Sequence, residues 1–214
     1  MDLEIHPFES ATELLASAQA WGAVPCVCRT QKALIGEPCG HPVDVCLLMG
    51  PMPGMFDGFP GIQAMTREEA LAALQRSADA GLVHSVSNTQ EGLTYLCNCC
   101  TCSCVVLRGM AEMGIANVVA RSAFMNTVNA EQCDGCEDCV AHCQFHALEL
   151  DNDNVMQVKA ISCVGCGVCV PHCNQGALAL VRRPEEEIKP IPVSMGDWMQ
   201  ERAIARGINI GDVL

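Results

Sequence analysis

The 214 residues carry 25 acidic against 12 basic side chains, a formal charge of −13, together with 17 cysteines and only 4% aromatic residues. This balance excludes nucleic acid as a partner, favours a basic docking surface on a protein, and requires an aliphatic, methionine- and cysteine-filled core. The acidic start and the lack of an eighteen-residue apolar run exclude a secretory leader and membrane insertion. The chain therefore reads as cytoplasmic, with thiols kept for metal rather than for disulfides.

In chain order, Ser10-Ala-Thr-Glu13 reads as a capping box before the helical stretch LLASAQA. AVPCVC reads as a strand, and His41-Pro42 as the start of a short helix carrying Val43, Val45 and Cys46. MGPMPGMFDGFPG (49–61) is a Met-, Gly- and Pro-rich loop, either an adaptable docking or lid segment or a cover over a metal centre. Thr66-Arg-Glu-Glu69 is a second capping box, opening a helix that ends at Gly81. LVHSV and LTYLC read as strands and VVLRGMAEM as a helix, so residues 1–127 form an α/β cysteine-rich module.

Nine cysteines lie in that module: Cys26, Cys28, Cys39, Cys46, Cys97, Cys99, Cys100, Cys102 and Cys104. In extended chain, residues two apart share a face at about 6.6 Å, near the spacing of neighbouring thiolates on one cubane. Cys97 and Cys99 then share one face while Cys100, Cys102 and Cys104 share the other, so the chain either bends at Cys99–Cys100 or serves two centres. One or two further [4Fe–4S] clusters follow. The partition stays open: Cys26, Cys28, Cys39 and Cys46 as one set, four of the 97–104 cysteines as another, or ligands shared between segments. A vicinal Cys99–Cys100 disulfide and a spare thiolate stabilised by Arg108 are the alternatives.

An internal repeat follows at a period of 30 residues: CDGCEDCVAHCQFHALEL (133–150) and CVGCGVCVPHCNQGALAL (163–180) agree at 10 of 18 positions. Each copy reads C-x2-C-x2-C-x3-C, in which the fourth cysteine ligates the other cluster. Cys133, Cys136, Cys139 and Cys173 are assigned to one [4Fe–4S] cluster, and Cys163, Cys166, Cys169 and Cys143 to the second. With iron as the metal of these cysteines, two such clusters bring the formal charge to about −17. HALEL and VMQVKA read as strands joined at the turn-rich DNDN. Zinc, which also takes Cys-x2-Cys pairs, has no reason to require the fourth cysteine at x3 in both copies.

Residues 128–182 resemble the two-cluster bacterial ferredoxins, apart from Gln144 and Asn174, which stand where that family usually has proline. Cys26-Val-Cys28-Arg29, then Cys39-Gly-His-Pro42 and Cys46, then Cys97-Asn-Cys99-Cys100, resemble the matching segments of prokaryotic 4Fe–4S dicluster-domain proteins, found largely in anaerobes. Ser103 stands where those proteins usually carry another cysteine. The resemblance implies an α+β fold, with a C-terminal ferredoxin-like module of ββαβ-type repeats packed on the N-terminal module, and electron transfer as the activity.

His41, His84, His142 and His172 lie near cysteines and read as packing or hydrogen-bonding residues, the last two at equivalent repeat positions. Arg29 is either a donor to cluster thiolates or a surface arginine. Residues 183–214 read as a polar linker, PEEEIKPIP, and a helix over GDWMQERAIARGI whose Trp198, Met199 and Ile204 anchor to a partner subunit or to the chain itself. No nucleotide-binding fingerprint is present, so a partner oxidoreductase, or a larger complex of which this chain is a subunit, supplies two-electron chemistry. The expected function is relay of single low-potential electrons. The alternatives are a reductase binding a small substrate at the upstream cysteines, and a redox or metal sensor.

Overall fold

The computed structural model describes residues 3–115 and 119–209 and is mixed α+β. Strands β1 (Leu3–His6), β2 (Ala20–Val24), β3 (Cys46–Gly50), β4 (Gln63–Met65), β5 (Val83–Ser87), β6 (Tyr95–Cys99) and β7 (Val119–Ala120) form one sheet in the order β4-β2-β3-β6-β5-β1-β7. Neighbours run antiparallel except β1 and β7. Helices α1 (Phe8–Ser17) and α3 (Arg67–Asp79) bury Ala11, Leu15, Ala70, Ala73 and Leu74 against Ala23, Leu47, Met49, Val86 and Leu96 of the sheet. That aliphatic layer is what a chain poor in aromatics has to build with.

The Thr66 capping box forms as the sequence predicts: the Glu69 N–H donates to Thr66 Oγ1 at 3.2 Å and the Thr66 N–H to Glu69 Oε2 at 2.8 Å. The other box does not form. α1 starts at Phe8 with Pro7 as its cap, so Ser10 to Glu13 are already helical and the Thr12 hydroxyl donates to the Phe8 carbonyl at 2.8 Å. AVPCVC is only partly a strand. Pro25 offers no N–H to a ladder, β2 stops at Val24, and Cys26 becomes the N-cap of α2 (Val27–Leu34). No helix starts at His41. Cys46 opens β3, in register with Val24, because Leu47 and Met49 alternate into the core with the period of a strand.

The repeat region supplies β8 (Phe124–Val128), α5 (Asp138–Ala141), β9 (Leu148–Leu150), β10 (Met156–Val158) and β11 (Leu178–Arg182). β9 and β10 pair antiparallel across the DNDN turn, where Asp151 Oδ1 accepts the N–H groups of Asp153 and Val155, both at 2.9 Å. β11 pairs antiparallel with β8. Gln144 has a use that proline would lack: its carbonyl accepts the Thr101 N–H at 2.7 Å and its amide donates to the Gly81 carbonyl, tying the repeat region to the large sheet. Asn174 holds Asp138 Oδ2 at 3.1 Å.

The 49–61 loop covers sheet rather than metal ligands. Phe56 is buried over Gly22, and Met55 sits against Gly50, two positions where a Cβ would collide with these side chains or their neighbours. The linker after Arg183 returns to the chain's own surface, where the Gln90 and Glu91 N–H groups donate to Pro192 and Val193 carbonyls, both at 2.9 Å. It leads into α6 (Met195–Ala205), capped by Ser194 and Asp197, none of whose residues is buried.

Candidate metal centres

The repeat cysteines gather into two quartets. Cys133, Cys136, Cys139 and Cys173 line one cavity with Val128, Met156, Ala177 and Leu178. Cys139 feels the charges of Cys173, Cys136 and Cys133, while Cys166 feels those of Cys143 and Cys163. Each fourth cysteine thus crosses to the other copy's triplet. Backbone N–H groups point at these sulfurs: Ala147 to Cys143 at 3.3 Å, its repeat counterpart Ala177 to Cys173 at 3.2 Å, and Met156 to Cys133 at 3.3 Å. The Asn126 amide donates to Cys169 at 3.0 Å. Burial pushes the Cys166 thiol up to about 12, so a free thiol there holds its proton until metal displaces it. His142 and His172 stack face to face with centroids 3.3 Å apart, which is the shared structural role expected of equivalent positions.

The turns between these ligands depend on glycine. At Gly165, φ is +73° and a Cβ would lie 2.0 Å from the Phe124 carbonyl oxygen; at Gly135, φ is +72° and a Cβ would lie 2.6 Å from the Asn154 carbonyl oxygen. Both loops are pressed so closely on neighbouring backbone that no side chain fits.

The nine upstream cysteines divide six and three. Cys26 reaches Cys28 and Cys46, Cys46 reaches Cys97, Cys97 reaches Cys99, Cys99 reaches Cys104, and Cys104 returns to Cys28, closing a ring of thiols. Two ring members sit at helix starts, Cys26 at α2 and Cys104 at α4 (Val105–Ala111). Within the ring, contacts from Cys28 and Cys46 hold the Cys26 thiol far down, while Cys28 is driven up by Cys104 and Cys26. Thiols gathered this closely release their protons to solvent when a cation binds them.

Cys39, Cys100 and Cys102 form the second group, joined by His41. Their ligand atoms all lie within 4.8 Å of one another. Cys102 Sγ is 3.0 Å from Cys100 Sγ and 3.6 Å from His41 Nδ1, and the Ser103 hydroxyl donates to Cys39 Sγ at 3.3 Å. Burial pushes the Cys39 thiol up, but contacts from Ser103, His41 and Cys102 outweigh it and bring it down to about 6.

The split at Cys99–Cys100 follows the strand parity, with Cys104 the exception: the turn at 100–104 swings it back to the face of Cys97 and Cys99. Cys26, Cys28, Cys39 and Cys46 do not form a set of their own. Cys26 and Cys46 are held together by the β2–β3 pairing, whereas Cys39 lies out on the loop between α2 and β3. His41 is a hydrogen-bonding residue as expected, set against Cys102 Sγ, and its ring nitrogen also stands within reach of an ion shared with Cys39, Cys100 and Cys102. His84 is the hydrogen-bonding residue expected, with Nδ1 2.6 Å from Asn98 Oδ1.

Arg29, 2% exposed, lies between the two groups. Its Nη1 donates to the Pro42 carbonyl and its Nη2 to the Asn98 carbonyl, both at 2.8 Å. Burial works to lower its pKa, but contacts with Cys100, Cys26 and Cys39 together outweigh it and raise it, as suits a buried cation set against thiolates on both sides. A cleft of about 360 Å³ lined by Glu4, His6, Glu13 and Arg182 contains no cysteine.

Cross-over quartets, inward N–H groups and glycine-only turns suit thiolate ligation of iron–sulfur clusters, and the residues present fit the group. The 4Fe-4S dicluster domain family matches residues 132–177 and with it the binding of 4Fe-4S clusters, which points to iron–sulfur electron transfer in general. No curated protein matches the chain. Among the described residues no helix is long and apolar enough to cross a membrane.

Proposed function

We propose that this chain is an electron-transfer protein that passes single low-potential electrons between its two repeat-region quartets and an iron–sulfur cluster on the upstream thiol ring, and exchanges them with a protein oxidoreductase. Bound [4Fe–4S] clusters supply reversible one-electron chemistry. The chain's own residues supply the ligands, the burial and the contact between sites.

The observation that carries this reading is one apolar cluster. Cys97, Cys99 and Cys104 of the ring pack with Cys143 and Cys166 of the second quartet around Ile5, Val83, Leu107, Phe145 and Val164. Close-packed side chains leave no water layer between those thiols. A second cluster, containing Cys139 and Cys169 with Leu148, Met156 and Leu178, continues the contact to the first quartet. At that far end Cys136 is exposed beside Asp134 and Asp138, and Glu131 and Glu137, exposed as well, lie within five residues of it in the chain. This acidic rim suits a basic partner surface and disfavours added negative charge on the cluster, which lowers its potential.

Iron and sulfide analysis of anaerobically purified protein, with EPR, tests the proposal. About twelve irons per chain in cluster form are expected, about eight from the quartets and about four from the ring. Eight alone removes the upstream end of the relay, and zinc in the quartets overturns the whole reading. Electron transfer to cytochrome c, a basic acceptor, is expected to slow with added salt and with Glu131→Lys plus Glu137→Lys. Indifference to both refutes the acidic docking end, and full reduction by ascorbate refutes low potential.

A further inference from the structure

The three upstream cysteines outside the ring stand apart by their spacing. A cubane holds its thiolates at outward-facing corners, which puts their sulfurs roughly 6.5 Å apart, whereas one tetrahedral ion with bonds of about 2.3 Å holds them about 3.8 Å apart. The ligand atoms of Cys39, His41, Cys100 and Cys102 lie within 4.8 Å of one another, with individual separations of 3.0 Å and 3.6 Å. All four atoms thus converge on one point, as the shell of a single ion requires.

We propose that Cys39, His41, Cys100 and Cys102 form a mononuclear site for one tetrahedral divalent ion, zinc or ferrous iron, separate from every iron–sulfur cluster of the chain. Three thiolates and one imidazole complete a four-coordinate shell with no open position, which makes the site structural rather than catalytic. Three thiolates around a divalent ion leave one net negative charge, and the buried Arg29 guanidinium beside Cys100 and Cys39 offsets it. The Ser103 hydroxyl, 5% exposed as a residue, donates to Cys39 Sγ and orients that ligand.

The ion has a mechanical task. Residues 36–45 form no helix or strand, and among their described backbone contacts are the Cys26 N–H donating to Val43 at 2.8 Å and the turn closing α2. Two ligands, Cys39 and His41, come from this loop. The other two come from the turn between β6 and α4, which is flanked by ring members Cys99, the last residue of β6, and Cys104, the cap of α4. The ion therefore staples the loop over the thiol ring and fixes the turn that sends Cys99 and Cys100 to opposite sides.

The test uses the full chain, purified anaerobically, with metal and sulfide analysis and hydrogen exchange on the wild type, His41→Ala and Cys102→Ser. Both variants are expected to lose about one ion per chain with sulfide unchanged, and residues 37–45 to lose exchange protection. Loss of zinc identifies zinc, and loss of one iron without sulfide identifies a ferrous site. Loss of about four irons together with four sulfides overturns the proposal, as does metal content unchanged in both variants. Should these variants fail to fold, His41→Cys is expected to keep the ion and convert its X-ray absorption shell from three sulfurs and one nitrogen to four sulfurs. A shell that does not change overturns the proposal. The iron and sulfide of the quartets are read in the same samples, so failure of the electron-transfer reading is seen separately.

Discussion

Replacing Gly165 by alanine tests how tightly the second quartet is built. The residue sits between Cys163 and Cys166 at φ +73°, and its new Cβ would lie 2.0 Å from the Phe124 carbonyl oxygen, 2.8 Å from the Phe124 carbonyl carbon and 3.1 Å from Ser122 Cβ. The left-handed conformation alone costs alanine about 1–2 kcal/mol. The collision is with backbone in β8, which cannot rotate aside, and overpacking of this kind adds about 1–3 kcal/mol. Gly36→Ala is the control: φ there is +83°, but nothing lies within 4 Å of the added Cβ, so only the conformational cost applies. With about 2–4 °C per kcal/mol for a chain of this size, Gly165→Ala is expected to melt about 2–12 °C below Gly36→Ala. The assay is anaerobic thermal unfolding at one scan rate, followed by visible absorbance and circular dichroism, with iron counted beforehand. Relief of the collision displaces both flanking ligands, so iron is expected to fall in Gly165→Ala and not in the control. Equal melting of the two variants at full iron content would refute the reasoning.

The cross-over of ligands predicts that Cys173→Ala and Cys143→Ala each remove about four irons, but from different clusters: the first from the exposed quartet with Cys136, the second from the one packed against the ring. EPR of reduced samples distinguishes them, and identical spectra would contradict the assignment. Burial, opposed by the Asn98 contact and aided by the charge of His6, lowers the pKa of His84, with Glu9 the acidic group facing it. The unfolded chain then binds a proton that the folded one refuses, so this stability is present above about pH 6.5 and is lost as pH falls below it, by at most about 1.4 kcal/mol per unit. His84→Gln is expected to flatten the denaturant midpoint between pH 7.5 and 5.5, and an unchanged slope would show that other groups carry it. Ser194→Ala removes the cap of α6 at a cost of about 1 kcal/mol. Faster hydrogen exchange over 195–205 with iron unchanged is the expected result, and slower electron transfer to a partner would show that the helix does more than close the tail.

Local features of the sequence determined a good deal. The doubled C-x2-C-x2-C-x3-C spacing lays out the triplet of each quartet, because ligand geometry on a short loop is set by residue count, and its repetition supplies the fourth ligand from the other copy. The Thr66 box, the apolar, β-branched character of LVHSV and LTYLC and the DNDN turn likewise act within a few residues of themselves. The parity change at Cys99–Cys100 announced that the thiols there face two ways. Tertiary structure decided the rest. Whether Cys26 and Cys46 belong together depends on β2–β3 register, which joins residues 22 to 30 apart, and Pro25 turns an apparent strand into a helix cap. Cys104 rejoins Cys97 and Cys99 only because the turn before α4 reverses the chain. His41 meets Cys102 across 61 residues of sequence, a contact for which no local spacing exists. Ligand triplets built on one loop, and repeated at a fixed period, are written in the sequence, whereas sets assembled from a strand pair, a loop and a distant turn exist only once the sheet has brought them together.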